Sequence, residues 1–359
     1  MDFNKLKDFY KDKRVFVTGH TGFKGAWLCR ILYDLGAQVT GYALNPPTDP
    51  SLFDIAGIDR CVDSRIGDIR NLEHMQQVFK EAKPEIVIHM AAQPLVRESY
   101  KDPVGTYETN VMGTVNIMEC VRQNDCVKSV INVTTDKVYR NNEWDRGYVE
   151  GDFLDGYDPY SNSKSCSELV THSYIQSFLN ERKVAVSTCR AGNVIGGGDF
   201  ATDRIIPDCV RAGFSGQPIV VRNPNSTRPY QHVLEPLFAY LMVAMMQIEN
   251  PGLASNYNIG PNDDNCVTTG ELTDTFVKAW NDKCDTKISR QDTPDGGPHE
   301  ANFLKLDCSR LKRTFDWEPK WNVAESIDRI IDFEVLRLHG ADSLTLAECM
   351  DRQIEEYLG

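Results

Sequence analysis

Tyr160 and Lys164 stand four residues apart in Tyr160-Ser161-Asn162-Ser163-Lys164, ahead of the helical pattern Ser167-Glu168-Leu169-Val170. At that spacing two side chains share one face of a helix. A phenol is a poor base near neutrality, because its free pKa is about 10. A neighbouring ammonium favours the phenolate, and the same lysine can hold a ribose hydroxyl. By itself the spacing also fits a solvated helix face. A second feature, far upstream, favours the chemical reading. The run Thr18-Gly19-His20-Thr21-Gly22-Phe23-Lys24-Gly25-Ala26 sets Gly19, Gly22 and Gly25 at GxxGxxG spacing, with Thr21, Phe23 and Lys24 between them. It follows a short apolar run and opens a helical pattern. A tight strand-to-helix turn needs a permissive backbone, and a pyrophosphate approaches closely only where there is no Cβ. The helix N-terminus then offers free amides and partial positive charge to the phosphates. Together the two features point to a dinucleotide-dependent enzyme.

Further contacts follow from that turn. An acidic residue about twenty residues on would hold the adenosine ribose. The chain has Ala43-Leu44-Asn45-Pro46 there, so Asn45 takes that place. Asn45 lacks a carboxylate to repel a 2′-phosphate, which leaves NADP open. No arginine follows directly to hold such a phosphate, which favours NAD. Asp68 and Ile69, after a third strand, are the adenine-contacting pair.

The elements that must position these residues alternate. Arg14 to Thr18, Gln38 to Ala43, Ile86 to Met90, Ser129 to Thr134 and Ala185 to Arg190 read as strands. Ala26 to Leu35, Leu72 to Ala82 and Gly113 to Gln123 read as helices between them. This alternation implies an α/β fold, a Rossmann-type doubly wound parallel sheet. After the loop signal Gly196-Gly197-Gly198-Asp199 the elements read as shorter and richer in proline up to about Pro298. We therefore expect residues 1–195 to form the dinucleotide-binding domain. Residues 196–359 then form mainly a smaller substrate domain, with segments interleaving into the first. Glu325 to Leu338 reads as a helix, and the tail keeps helical spacing.

The chain has 359 residues, 41% hydrophobic and 25% charged, which is ordinary globular composition. No stretch of eighteen apolar residues appears, and Met1 to Lys13 has no apolar leader core. A cytoplasmic protein is expected. The formal net charge of -13 argues against nucleic acid and anionic membranes as partners. The eleven cysteines include no CxxC pair and read as reduced thiols packed as small hydrophobes. No metal site is expected: His89, His232 and His299 have no ligand partners at close spacing. His89 reads as a packed strand residue, and His299 is a weak candidate for a place near a nucleotide.

With these residues in place, the chain resembles the extended short-chain dehydrogenase/reductase family. The resemblance rests on Gly19, Gly22 and Gly25, on His89-Met90-Ala91-Ala92, on Asn110 with Gly113-Thr114, and on Tyr160 with Lys164. It continues through Arg190-Ala191-Gly192-Asn193-Val194, Arg228-Pro229-Tyr230-Gln231-His232-Val233 and Tyr257-Asn258-Ile259-Gly260. Within the family it is most similar to the branch of nucleotide-sugar 4,6-dehydratases that acts on CDP-glucose. That similarity is carried by Gly19 to Gly25, Ala91-Ala92-Gln93-Pro94-Leu95-Val96-Arg97, Thr135-Asp136-Lys137 and Asn193-Val194-Ile195-Gly196-Gly197-Gly198-Asp199.

The resemblance implies conversion of an NDP-glucose to its 4-keto-6-deoxy form, with loss of water and a recycled NAD, in deoxysugar biosynthesis for surface polysaccharide. It implies Ala91, Ala92 and Asn110 at the cofactor, and Gln93 and Asn193 at the substrate. Thr135 would hydrogen-bond the 4-oxygen and Tyr160 would take the 4-hydroxyl proton. Asp136 would be the acid for the departing 6-hydroxyl. Lys137 stands where many dehydratases carry a glutamate as the C5 base. It is either a base, if its ammonium is strongly destabilised, or a charged stabiliser of the enolate. Arg204 and Arg228 suit the substrate pyrophosphate, since a guanidinium matches phosphate oxygens in bidentate fashion. A nucleotide-sugar 4-epimerase would share most of these residues but has no need of Asp136-Lys137. A non-catalytic dinucleotide-binding protein would have no need of Thr135, Tyr160 and Lys164 together. A homo-oligomer, dimer or tetramer, is implied through two long helices, Asp102 to Gln123 and Tyr160 to Leu179.

Overall fold

A computed structural model describes residues 3–293 and 304–359. In the first half, strands β1 (Arg14–Thr18), β2 (Gln38–Ala43), β3 (Asp63–Ile66), β4 (Ile86–His89), β5 (Ser129–Val133) and β6 (Ala185–Ala191) alternate with helices. These are α1 (Phe3–Tyr10), α2 (Phe23–Asp34), α3 (Leu52–Ile55), α4 (Leu72–Ala82), α5 (Val96–Lys101), α6 (Pro103–Tyr107), α7 (Gly113–Arg122) and α8 (Pro159–Tyr174). The second half adds β7 (Val194–Ile195), α9 (Ile205–Ser215), β8 (Ile219–Val221), β9 (Thr227–Pro229), β10 (Gln231–His232), α10 (Leu234–Glu249) and β11 (Asn256–Ile259). It continues with β12 (Cys266–Thr268), α11 (Thr269–Lys283), β13 (Arg290–Asp292), α12 (Ser309–Phe315), α13 (Val323–Leu338) and α14 (Ser343–Leu358).

Seven strands form one parallel sheet in the order β11-β6-β5-β4-β1-β2-β3. The Rossmann-type doubly wound sheet read from the strand–helix alternation is therefore the observed fold. A parallel sheet is covered on both faces, so its strands are apolar almost throughout. Side chains alternate between the faces. Val15, Val17, Ile86, Ile88, Ile131 and Val133 join a core with α2 and α10. Phe16, Val87 and Val130 join the opposite core, with α4 and α7. A separate cluster, built from α9, α11 and α13 around Trp280, forms the smaller unit beside the sheet.

The stretch from Gly196 to Thr293, read as shorter elements, also holds a long helix. Helix α10 has 16 residues and is buried along nearly its whole length. A helix that is apolar all round carries no amphipathic period, so periodicity does not reveal it. It covers β5 and β6 while β11 joins the sheet edge, so the second half of the chain supplies part of the first core. The tail also returns. Tyr357 of α14 donates to buried Glu235 of α10 at 2.7 Å, and Arg30 of α2 pairs with Asp351. None of the eleven cysteines forms a disulfide. Among the described residues no helix is long and apolar enough to cross a membrane.

The glycine turn is tight for reasons inside the fold. Gly19 has φ +80°, and a Cβ there would lie 2.9 Å from the Ala91 backbone. A Cβ at Gly25 would lie 2.1 Å from the Gly19 carbonyl oxygen and 2.7 Å from His20 Cα, both backbone atoms that cannot yield. Gly25→Ala is expected to destabilise the protein by about 1–3 kcal/mol through overpacking. Gly151→Ala, where an added Cβ meets nothing within 4 Å, should leave the melting temperature unchanged. Thermal melts of the two variants check the contrast.

Candidate active site

A cavity of about 1120 Å³ opens at the carboxyl edge of the sheet, between the loops after β1 and β4 and under the smaller unit. Ligands of open α/β sheets bind at this switch point, where strand order reverses. The volume exceeds that of most single-ligand pockets, so two molecules can lie end to end.

One end is the glycine turn. The loops after β1 and β4 are tied together: Thr18 Oγ1 accepts from the amides of Met90 and Ala91, both at 3.1 Å. Thr21 donates to the Leu44 carbonyl at 2.9 Å, drawing the β2 loop against the turn. Gly22 lines the cavity, and a Cβ there would meet only the Gly19 oxygen at 3.5 Å. Its bareness keeps room on the cavity side. Helix α2 starts at Gly22 with no side-chain cap, so its first amides are left for a ligand. This cradle fits a dinucleotide. Phe23, Lys24, Gly25, Asn45, Asp68, Ile69, Ala91 and Ala92 line the same cavity. Asn45 is exposed there. Asp68 is held by Arg70 at 2.6 Å, and that bond keeps its carboxyl below the usual range. Arg70 is thereby committed to Asp68.

The other end carries the groups able to move protons. Asp158 caps α8, accepting from the Ser161 amide at 3.0 Å, and Pro159 starts the helix. The cap puts Tyr160 in the first turn, with Lys164 one turn behind it. Lys164 donates to the Val133 carbonyl at 3.1 Å. Burial lowers its pKa to about 8, with the Glu168 charge acting in the other direction. Burial pushes the Tyr160 phenol up to about 12, opposed by a hydrogen bond with Thr135 and by Arg204. Thr135 caps a short 3-10 turn, Asp136–Val138, after β5. That turn points Lys137 into the cavity and Asp136 away from it.

Three residues fall elsewhere than their sequence reading. Asp136 is fully buried and does not line the cavity. Its Oδ1 accepts from Thr135 at 2.9 Å and from Lys137 Nζ at 3.3 Å, while Oδ2 has no hydrogen-bond partner. A Cβ at Gly192 would lie 2.1 Å from that Oδ2, so only glycine leaves it room. Gln93 turns its amide back onto its own loop, donating to the Leu95 carbonyl at 3.1 Å and Thr106 at 2.9 Å and accepting from the Leu95 amide at 2.6 Å. It does not line the cavity, because the loop after β4 uses its amide groups locally. Asn110 is buried in a π-helical turn, Glu108–Met112. It binds the Gln93 amide at 2.8 Å and carbonyl at 3.1 Å and Ser163 at 2.9 Å, so it fastens the β4 loop to α8 instead of facing a cofactor.

At the substrate end, Asn193, Arg204 and Arg228 all line the cavity. Asn193 holds φ +39° and its buried side-chain nitrogen has no partner. Arg204 pairs with Asp199 at 3.1 Å, and buried Arg228 donates to the Thr227 carbonyl at 2.9 Å. Arg97 and Arg222 also line the cavity and carry no reading of their own from sequence, since an isolated arginine has no spacing signal. His89 is packed in the sheet, 2.7 Å from Thr18 Oγ1. His299 lies outside the described residues. No cluster of His, Cys, Asp or Glu able to hold a metal occurs among the described residues.

The family model described as GDP-mannose 4,6 dehydratase matches residues 16–330. The chain belongs to the GDP-mannose 4,6-dehydratase family. This places it among the extended short-chain dehydrogenases/reductases, as the sequence motifs imply. A family relative, CDP-glucose 4,6-dehydratase of Salmonella typhimurium, is 46% identical over 358 residues, covering 98% of each chain. UDP-glucose 4-epimerase of Pisum sativum is 23% identical, over 87% of this chain and 93% of that one. Among solved structures, dTDP-glucose 4,6-dehydratase of Bacillus anthracis in complex with NAD superposes with TM-score 0.76 at 22% identity, covering 92% of this chain and 98% of that one. That likeness is one of fold.

Lys24 is a buried cation at this site. Burial, then Lys164 and Arg204, lower its pKa to about 7, and its Nζ lies 3.4 Å from the Tyr240 hydroxyl. A lysine whose folded pKa is depressed opposes folding fully below pH 7, and this cost fades as pH rises toward the unfolded value. Lys24→Met is therefore expected to stabilise the ligand-free protein by roughly 1–3 kcal/mol at pH 6. The gain should shrink strongly by pH 10. Denaturant unfolding at the two pH values checks the sign.

Proposed function

We propose that this chain is a nucleotide-sugar 4,6-dehydratase that uses bound NAD to convert CDP-glucose to CDP-4-keto-6-deoxyglucose and water. The observation that carries the reading is 46% identity along essentially the whole chain to a CDP-glucose 4,6-dehydratase. The cavity supports it by holding Thr135, Lys137, Tyr160 and Lys164 in one wall. Residues 1–195 mainly hold the cofactor, and 196–359 mainly the nucleotide sugar. Arg70, committed to Asp68, is not offered to a 2′-phosphate, which favours NAD over NADP.

Tyr160 takes the proton of the sugar 4-hydroxyl, and Thr135 hydrogen-bonds the 4-oxygen. The Lys164 ammonium offsets the charge on the phenolate. NAD, when bound, supplies the hydride acceptor at C4 and the hydride donor at C6. Once C4 is a carbonyl, the C5 proton is acidic. Lys137 reaches the substrate while Asp136 lies behind it, so the two handle the elimination as a coupled unit. The pair accepts the C5 proton and returns one to the departing 6-hydroxyl as water forms. After the hydride returns to C6, C5 takes a proton from solvent and Tyr160 gives its proton back to solvent, so the protons balance. Arg204 and Arg228 hold the pyrophosphate, and Asn193 a sugar phosphate oxygen.

We place the enzyme in the cytoplasm, in deoxysugar synthesis for surface polysaccharide. We also propose that it pairs as a homodimer, through the exposed apolar side chains Val104 and Met112 of the α6–α7 segment and Leu169 and Phe178 of the segment that begins with α8.

Incubation with NAD and separate CDP-, dTDP-, UDP- and GDP-glucose, followed by mass spectrometry, tests the function. Loss of one water from CDP-glucose alone is expected. Inversion at C4 without loss of water would make the chain an epimerase, and no reaction with any sugar would leave a binding protein. Tyr160→Phe and Lys137→Met are each expected to lower kcat about 100- to 10,000-fold, with CDP-glucose binding by calorimetry little changed.

A further inference from the structure

Behind the wall that carries Tyr160 and Lys164 lies a buried ion pair that the chemistry does not use directly. Glu168 stands four residues after Lys164 and eight after Tyr160, so the three share one face of α8. Arg190, on β6, grips Glu168 with two parallel bonds, Nε to Oε1 and Nη2 to Oε2, both 2.9 Å. Neither side chain is exposed to solvent by more than 2%. The same carboxylate accepts from Thr134 at 2.5 Å and from Thr188 at 2.7 Å. Thr134 immediately precedes Thr135. One carboxylate therefore joins α8 to the end of β5, where Thr135 begins its turn, and to β6. Arg190 is fixed in turn by the Tyr139 hydroxyl at 2.8 Å and the Glu150 carbonyl at 3.1 Å. Tyr139 donates onward to Asn258 of β11 at 2.6 Å.

Taking two charges out of water costs more than a well-packed apolar pair would. Stability alone does not explain such a pair, whereas fixing one arrangement does. We propose that Glu168, held by Arg190, is a positioning residue that sets the register of α8 against the ends of β5 and β6, and so the placing of Tyr160 and Lys164 against Thr135. This rests on the reading of Tyr160 and Lys164 given above. Glu168 has a second effect through its charge. The charged and titratable groups facing Lys164 are Tyr160, which burial keeps protonated at rest, and Glu168 from its own helix, Lys24 from α2 and His89 from β4. Burial keeps His89 neutral near pH 7, its pKa lowered to about 3. Glu168 is thus the anion of the set, and it supports the ammonium form of Lys164.

The test is the pH profile of kcat for Glu168→Gln on CDP-glucose with saturating NAD. The substitution keeps the shape and removes the charge. The expected result is a fall in kcat of roughly 10- to 100-fold, as misplacement of a reacting group produces, with KM for CDP-glucose unchanged within about threefold. The alkaline limb should move down by about 1–2 pH units, because Lys164 loses its proton more easily. A folded E168Q with wild-type kcat and an unmoved alkaline limb overturns the proposal. So does a variant that only melts earlier, with kcat and limb as in wild type at low temperature. If E168Q does not fold, E168Q/R190M, which leaves no charge buried without its partner, takes its place in the same measurement. The same fall in kcat is then expected, with a smaller shift of the limb because the Arg190 charge goes with that of Glu168, and a wild-type kcat overturns the proposal. Tyr160→Phe is assayed alongside. Should it keep full activity, the reading of the site fails; should it be inactive while E168Q behaves as wild type, only the role of Glu168 fails.

Discussion

Burial works against a tyrosine base. The walls that exclude water around Tyr160 push its phenol up to about 12, and a phenol in that range holds its proton at neutral pH. Thr135 and Arg204 offset that effect, while the charges of Asp136 and Asp158 add to it. The cap at Asp158 fixes where α8 begins. The Val133 carbonyl holds the Lys164 amine, itself pushed down to about 8 by burial. Thr135 and Arg204 act on the phenol from two further directions. None of these groups is adjacent to the others in sequence except by the helix repeat. Their convergence comes from docking α8 on the strand ends.

The same logic extends to the opposite end of the cavity. The turn after β1 touches the loop after β4 so closely that Gly19 has no room for a side chain, and Gly25 packs against the turn's own backbone. Bonds from Thr18 and Thr21 lock three loops together. A rigid cradle loses little entropy when a ligand binds. The fully buried α10 and the returning α14 brace that cradle from below. The second half of the chain is therefore part of the foundation of the glycine turn as well as the roof over the other end of the cavity.

Much of this was legible in the sequence, and the reasons are local. The apolar runs of β1, β2 and α4 have boundaries set by side-chain alternation and capping, so pattern alone places them. Gly19, Gly22, Gly25, Tyr160 and Lys164 are read from spacing because a turn and a helix convert spacing directly into geometry. Other features depend on which way a side chain turns, and spacing is silent on that. Asp136 and Lys137 are neighbours, yet the 3-10 turn sends one inward and the other to the cavity. Gln93 and Asn110 have the right polarity for ligand contacts but spend their hydrogen bonds fastening the loop after β4. Helix α10 escaped because burial on every side erases its period. Arg97 and Arg222 reach the cavity only through the packing of distant loops. Asn45 and Asp68, read from their distance beyond the glycine turn, line the cavity beside Thr21 and Ile69.

In the proposed reaction one hydride leaves the sugar at C4 and returns to the same molecule at C6 while water departs. The most direct measurement uses CDP-glucose carrying deuterium at C4, turned over in ordinary water and examined by NMR and mass spectrometry. The expected product has lost water and carries the deuterium at C6. Deuterium remaining at C4 in a C4-inverted sugar, or washed out of the product into solvent, would contradict that reaction.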